Sequence, residues 1–355
     1  MDRSAYKIFA EGVIAGLTVP NRLVRSATWD PSILGSRQMT GDVLDLYRNL
    51  ALGGVGLIIT GGFPVYRERF PEEEMDKPVR LYADLRVNGL EKMAQVVRQA
   101  SPGCKIIAQL EVGYLDSGPS SIPTPFSHEP VPFPLLHQRQ DSFGGTPEKR
   151  SYIVREIVAR ARKWVGNFPI LIKMNCTDNL VGGVDLENFP ALAQEIVQAG
   201  VDAIEISGGM WDCLFRSEAE LGFRPVPAPE SHTRIRKLEQ QSYFLKFAEQ
   251  LDLPVPIILV GGNRDIERLE AILQGGKVDF IALCRPLIRE PDLPNRWRAG
   301  IGKRLPECVS CNSCIYAMIN HRIEEDISYL GFFDRVFSPE TPFALSEGEK
   351  DSVFR

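Results

Sequence analysis

The sequence predicts an α/β fold: a (β/α)8 TIM-type barrel, incomplete, with seven recognisable strands and a shortened fourth βα unit. Three observations carry this. Short β-branched apolar runs alternate with helical patterns along the chain, the pattern of a parallel sheet with right-handed crossovers. Some of these runs, "VGLIITGG" (55–62) above all, are almost continuously apolar, as strands buried on both faces are. The 355 residues contain no inter-domain linker, and one α/β barrel fills such a length. A doubly wound open sheet, which tolerates seven strands, is the alternative architecture. The expected organisation is a barrel over 1–305, with an irregular proline-rich insert at 115–140, and a tail over 306–355 with a Cys-x-x-Cys-x-x-Cys run.

In order, "NRLVRSAT" (21–28) reads as the first strand, and Val43, Leu46, Tyr47 and Leu50 mark the following helix by their spacing. "VGLIITGG" is the second strand, followed by a helix carrying Leu90, Met93, Ala94 and Val97, then the strand "KIIAQLEV" (105–112). After the prolines, Val154, Ile157, Val158 and Ala161 face one side of a helix that leads into "PILIKMN" (169–175). Phe189, Leu192, Ala193, Ile196 and Val197 precede "DAIEISGG" (202–209), and Phe244, Phe247, Ala248 and Leu251 precede "PIILVGG" (256–262). Ile266, Leu269 and Leu273 precede "DFIALCRP" (279–286). The interval between "KIIAQLEV" and "PILIKMN" holds one helix and "IPTPFSHEPVPFPLL" (122–136), where two helices and a strand are expected. Proline donates no ladder hydrogen bond and breaks helix interiors, so this stretch cannot be a core strand.

Composition excludes several classes. A net charge of −5 gives no basic footprint for nucleic acid or anionic lipid. No apolar run approaches a bilayer-spanning length. The N-terminus is charged and interrupted, and seven cysteines is an odd count, so a cytoplasmic protein with reduced thiols is expected.

In barrels of this kind chemistry sits at the C-terminal ends of the strands. Three strand ends carry paired glycines: Gly61–Gly62, Gly208–Gly209 and Gly261–Gly262. Glycine allows positive φ and lets backbone amides approach a phosphate, although a plain tight turn explains any one pair equally well. "VGGNRDIERL" reads as strand, glycine turn and helix start at Asp265, and the next strand end supplies Arg285. Amides and an arginine at adjacent strand ends suit a phosphate group. Gln109 and Lys173 are polar residues in apolar strands and need partners. Together they suit a flat heterocycle with carbonyl and ring-nitrogen acceptors; alternatively Lys173 pairs with Glu205 or Glu111.

The ordered series "VPNRLVRSATWD", "YRNLALGGVGLIITGG", "GLEKMAQVVRQ", "DSFGGTPEKR", "LIKMNCTDNLVGG", "VDAIEISGG", "LVGGNRD" and "DFIALCRPLIREPDLPNRW" resembles the old yellow enzyme family, in its NADH:flavin oxidoreductase branch. The resemblance covers roughly 12–112 and 131–314. It implies a single barrel binding FMN, with NADH or NADPH as reductant. Carried over by position, Ser26, Ala27, Thr28 and Gly62 border the flavin ring through the backbone. Gln109 bonds its pyrimidine edge, Lys173 lies beside N1 and O2, and Gly261, Gly262, Cys284 and Arg285 hold the phosphate. The family usually has glycine at the position of Cys284, a modest departure where the contact is by main chain.

The departures lie between the third and fifth strands of the family pattern. Val112 and Leu115 stand where the family has histidine and arginine. The fourth strand, with the histidine pair that binds the substrate carbonyl, has no counterpart around "FSHEPVP". His128 lies in a proline-flanked loop, and His137 takes the place of a family asparagine. Tyr114 is the remaining proton donor near the mouth, with packing as its alternative role. The tail "CVSCNSC" (308–314) resembles the cluster-binding linker of larger relatives. With three thiols and no cysteine after Cys314, however, Cys308, Cys311 and Cys314 are expected to be free or zinc-binding, since a cluster normally takes four.

The resemblance implies an FMN-dependent oxidoreductase passing hydride from NAD(P)H to an electron-poor small molecule. A flavin-binding relative with little catalysis, and a phosphate-ligand barrel isomerase or aldolase, are the alternatives. Two strand edges left by a missing strand need cover, so at least a dimer is expected.

Overall fold

The computed structural model describes residues 2–28, 41–64, 79–111, 121–122, 131–132, 145–226 and 228–316. A hairpin of β1 (Gly12–Ile14) and β2 (Leu17–Val19) precedes β3 (Leu23–Arg25), α1 (Gly41–Leu52), β4 (Leu57–Pro64), α2 (Val79–Ala100) and β5 (Lys105–Glu111). Two-residue strands β6 (Ser121–Ile122) and β7 (Val131–Pro132) follow. Next come α3 (Pro147–Arg150), α4 (Tyr152–Val165), β8 (Leu171–Asn175), α5 (Phe189–Gln198), β9 (Ala203–Ser207), α6 (Glu218–Leu221) and α7 (Leu245–Ala248). The series ends with β10 (Ile257–Leu259), α8 (Ile266–Gln274), β11 (Phe280–Leu283), α9 (Arg285–Arg289) and α10 (Leu293–Ala299).

Seven parallel strands form one sheet in the order β5-β4-β3-β11-β10-β9-β8. The first strand of this sheet, β3, pairs with both the next, β4, and the last, β11. That is the wrap of a barrel, because a sheet curled on itself makes its first and last strands neighbours. The break falls between β5 and β8, at the place where the sequence predicts a shortened fourth unit. Among the described residues nothing pairs with the outer edge of either strand, while β6 and β7 pair antiparallel with each other, Ser121 opposite Pro132 and Ile122 opposite Val131. The rest of the proline stretch lies outside the described residues.

Helical periodicity translates into burial wherever the sheet is complete. Val43, Tyr47 and Leu50 of α1 are buried, as are Phe189, Leu192, Ala193 and Ile196 of α5 and Ile266, Leu269 and Leu273 of α8. Strands β3, β9, β10 and β11 are buried at every residue. Beside the break the expectation fails in part. Of the face expected for α4, Val158 is buried whereas Ile157 is 53% exposed, because the helix packs beside β8, which has only one neighbouring strand. No residue of β8 is fully buried. Leu110 of β5, Trp164 of α4 and Phe168 before β8 are exposed as well. Among the described residues no helix is long and apolar enough to cross a membrane.

A half-barrel with two open edges loses backbone protection from those edges inward. Amide hydrogen exchange is expected to be faster in β5 and β8 than in β3, β10 and β11. Equal protection across the seven strands would show that both edges are covered.

Candidate active site

The C-terminal ends of the strands bring most of the expected residues together. At the end of β3, the Ser26 amide donates to the Leu283 carbonyl at 3.1 Å, tying the chain to β11. The Ser26 hydroxyl donates to Glu205 Oε1 at 2.6 Å, and Lys173 Nζ lies 3.4 Å from the same hydroxyl and 3.9 Å from the carboxylate. Glu205 is 1% exposed, so Lys173 and Ser26 together compensate a buried negative charge. Lys173 thus has the carboxylate partner anticipated for it and still stands at the mouth. Ala27 packs against the inner apolar cluster. Thr28 Oγ1 contacts Cys284 Sγ at 3.2 Å and donates to the Ser26 carbonyl at 3.0 Å, so the ends of β3 and β11 are joined by side chains as well as by the ladder.

On the other flank, Gly62 lies opposite Gln109. The glycine pair of β4 differs from expectation: Gly61 and Gly62 lie inside the strand, and neither has positive φ. A register shift between Ile59 and Gly62 accounts for them, since a bulge places an extra residue in one strand. Thr60 supports the bulge by accepting from the Gln109 amide at 3.0 Å, and Tyr47 by accepting from the Gly61 amide at 3.2 Å. The side-chain oxygen Oε1 of Gln109 is buried and has no hydrogen-bond partner. A buried orphan acceptor costs about 1–3 kcal/mol unless a ligand donates to it.

The Gly261–Gly262 turn after β10 has φ of +105° and +69°. A Cβ at either position would lie 2.7 Å from the Tyr243 ring, so glycine is required by both backbone and packing. Their carbonyls accept from Tyr243 and Ser242. Next to this turn, Asn263 ties β10 to β11 by donating to the Leu259 and Ala282 carbonyls at 2.8 and 3.0 Å.

Around these strand ends lie three buried arginines. Arg25 Nη1 donates to the Cys284 carbonyl at 2.6 Å. Arg264 Nη1 donates to the Ile235 carbonyl at 3.0 Å and Ser310 Oγ at 3.1 Å. Arg285 Nη1 donates to the His232 carbonyl at 2.9 Å and Asn312 Oδ1 at 2.6 Å. All three are under 10% exposed, and every one of these acceptors is electrically neutral. Glu230 feels both Lys173 and Arg285 electrostatically, although burial is the stronger influence and raises its carboxyl. Buried cations surrounded by neutral oxygens favour an added anion.

The segment that meets Arg285 is held by ring stacking. His232 is sandwiched between Phe223 and Tyr243, with centroids 3.8 and 3.9 Å away and planes within 15°. Tyr243 donates to the Glu230 carbonyl at 2.7 Å, and burial pushes its phenol up to about 12. Spacing in the sequence carries no signal for this stack or for Asn312, because their partners come from irregular segments. Tyr114, His128 and His137 lie outside the described residues. Cys308, Cys311 and Cys314 are free thiols, and among the described residues no group of three or more His, Cys, Asp or Glu is arranged to hold a metal ion.

Burial, helped by Arg285, depresses His232 to about 3, and its Nε2 is closed off from solvent without a partner. The unfolded chain takes up this proton near pH 6.5 and the folded chain does not. Stability should therefore fall as pH drops from about 6.5 towards 3, by at most about 1.4 kcal/mol per pH unit from this residue. Urea unfolding of wild type and His232→Phe at pH 7 and pH 5 checks this. The variant is expected to lose less stability on acidification, and identical losses would show that His232 is not kept neutral by the fold.

A model for the "NADH:flavin oxidoreductase / NADH oxidase family" matches residues 133–304. The metal reductase of Desulforamulus reducens is 25% identical over 86% of this chain, and the NADH oxidase of Thermoanaerobacter brockii is 26% identical over 87%. The chain spans only about half of these two relatives, 50% and 53% of their lengths. The solved structure of the old yellow enzyme homologue from Zymomonas mobilis aligns with a TM-score of 0.56 at 16% identity, over 85% of this chain and 95% of that one. That likeness concerns the fold alone and agrees with the barrel wrap described above. Residues 133–304 thus match the NADH:flavin oxidoreductase / NADH oxidase family, and the comparisons together support a place for the chain among the old yellow enzyme type of flavin oxidoreductases.

Proposed function

We propose that the protein is an FMN-dependent oxidoreductase that uses NADH or NADPH to reduce a small electron-poor acceptor. The observation that carries this reading is the group of buried arginines at the ends of β3, β10 and β11, bonded only to neutral oxygens, beside the positive-φ Gly261–Gly262 turn. These residues fit a phosphate. The orphaned Oε1 of Gln109 fits an N–H donor on the edge of a flat ring. The match of residues 133–304 to the NADH:flavin oxidoreductase / NADH oxidase family model supports the same cofactor.

In this reading Gly261 and Gly262 amides, the main chain at Cys284 and the Arg285 guanidinium hold the phosphate. Gln109 accepts from the ring edge, and the backbone of Ser26, Ala27, Thr28 and Gly62 borders the ring. FMN, when bound, supplies hydride acceptance and donation. Lys173, steadied by Ser26 and Glu205, provides a fixed cation in the mouth that favours added negative charge. Tyr114 is the proposed proton donor. The described residues contain one histidine, His232, and its imidazole is stacked and neutral. This favours a second reading, flavin binding with weak carbonyl activation, in which cyclic enones are poor acceptors.

Purified protein is expected to be yellow and to bleach anaerobically with NADH or NADPH; a yellow protein that neither nucleotide bleaches supports the second reading. Arg285→Ala should weaken FMN by roughly 1.5–3 kcal/mol, about ten- to a hundred-fold, while leaving riboflavin affinity little changed. Equal affinity of the wild type for FMN and riboflavin would remove the phosphate assignment.

We also propose that a second copy covers part of the break between β5 and β8, making the protein at least dimeric. Light scattering coupled to size exclusion tests this, together with turnover of cyclohex-2-enone. A monodisperse monomer that reduces the enone rapidly contradicts both the covered edge and the weakened carbonyl activation.

A further inference from the structure

The tail after the barrel meets the strand-end site at Ser310 and Asn312. Asn312, between Cys311 and Ser313, is 1% exposed and makes three hydrogen bonds. Its Oδ1 accepts from Arg285 Nη1 at 2.6 Å. Its Nδ2 donates to the Val226 carbonyl at 3.0 Å and the Ser231 carbonyl at 2.7 Å. Ser231 is adjacent to His232, whose carbonyl is the other acceptor for Arg285 Nη1. One amide therefore fixes the guanidinium directly, and also fixes the segment that supplies the guanidinium's second acceptor. Two positions earlier, Ser310 is 3% exposed and bonds Arg264, so the tail meets two of the three buried arginines.

We infer that Asn312 is a positioning residue for phosphate recognition: it holds Arg285 in the orientation that receives the cofactor's phosphate, so the Cys-x-x-Cys-x-x-Cys tail is part of the cofactor site. This rests on the FMN reading given above. An arginine bonded at Nη1 by two fixed oxygens has its planar fork oriented before a ligand arrives, and a pre-oriented fork loses less freedom on binding. A carboxylate at the position of Asn312 would instead neutralise the cation that the phosphate needs.

The test is a double-mutant cycle on Asn312→Gly and Arg285→Ala, read by titrating flavin-free protein with FMN and, separately, with riboflavin. Glycine is the substitution of choice because Asn312 has φ of +65°, which glycine adopts without strain. Asn312→Gly is expected to lower the preference for FMN over riboflavin about tenfold with riboflavin affinity unchanged, and the double variant should match Arg285→Ala alone. Should the glycine variant fail to bind riboflavin, Asn312→Ser, too short to reach Arg285 and both carbonyls, is expected to lower the same preference. Wild-type preference retained in either variant, or losses that add in the double variant, would overturn the inference. A wild type that binds both flavins equally would instead overturn the FMN reading itself.

Discussion

The site depends on buried positive charge that is hydrogen-bonded to neutral oxygens. Arg25, Arg264 and Arg285 are each under 10% exposed, and their recorded partners are carbonyl, hydroxyl and amide oxygens. Desolvating a cation against neutral acceptors leaves it under-compensated. The fold bears that cost at one place, where β3, β10 and β11 end beside one another. Elsewhere several buried carboxylates are paired with cations. Glu205, equally buried, has both Ser26 and Lys173, and the buried Glu290 has Arg296. The contrast supports the proposed reading of the arginine group as a receptor for an anion, with Glu205 as a support for Lys173.

The second constraint is the break in the barrel. Seven strands wrap so that β3 bridges β4 and β11, which keeps the anion-binding ends in the continuous middle of the sheet. The elements flanking the break, β5 and β8, carry Gln109 and Lys173, the two groups assigned to the flat ring. In the proposed reading the phosphate therefore lies at the inner strand ends and the ring between the two edges. In that reading the break leaves the phosphate site intact while it alters the surroundings of the reacting face. The bulge that sets Gly62 opposite Gln109 keeps one edge aligned without a fourth strand beside it.

Much of this was legible in the sequence, for a physical reason. Strands such as 256–262 and 279–286 are buried on both faces, so their apolar runs are unbroken, and the glycines and arginine at their ends stand out against them. The helical faces of Val43, Tyr47 and Leu50, and of Ile266, Leu269 and Leu273, follow from the same alternation. Ile157 was misassigned because periodicity reports an amphipathic helix without revealing that little sheet lies beneath it. The glycines at 61 and 62 read as a turn, since a bulge leaves no trace in composition. Asn312 and His232 were not legible at all. Each acts through irregular backbone, and Asn312 meets residues 27 to 86 positions away in the chain, so no spacing rule connects them.

The central claim is that the arginine group, with Asn312 behind Arg285, receives a phosphate dianion. Phosphorus-31 NMR of the FMN-loaded protein tests it most directly. A free phosphate monoester takes up its second proton near pH 6, whereas one held against buried guanidinium groups stays dianionic well below that. The account predicts a bound phosphorus resonance that does not move between pH 8 and pH 5. A resonance that titrates near pH 6, as it does in free FMN, would contradict it.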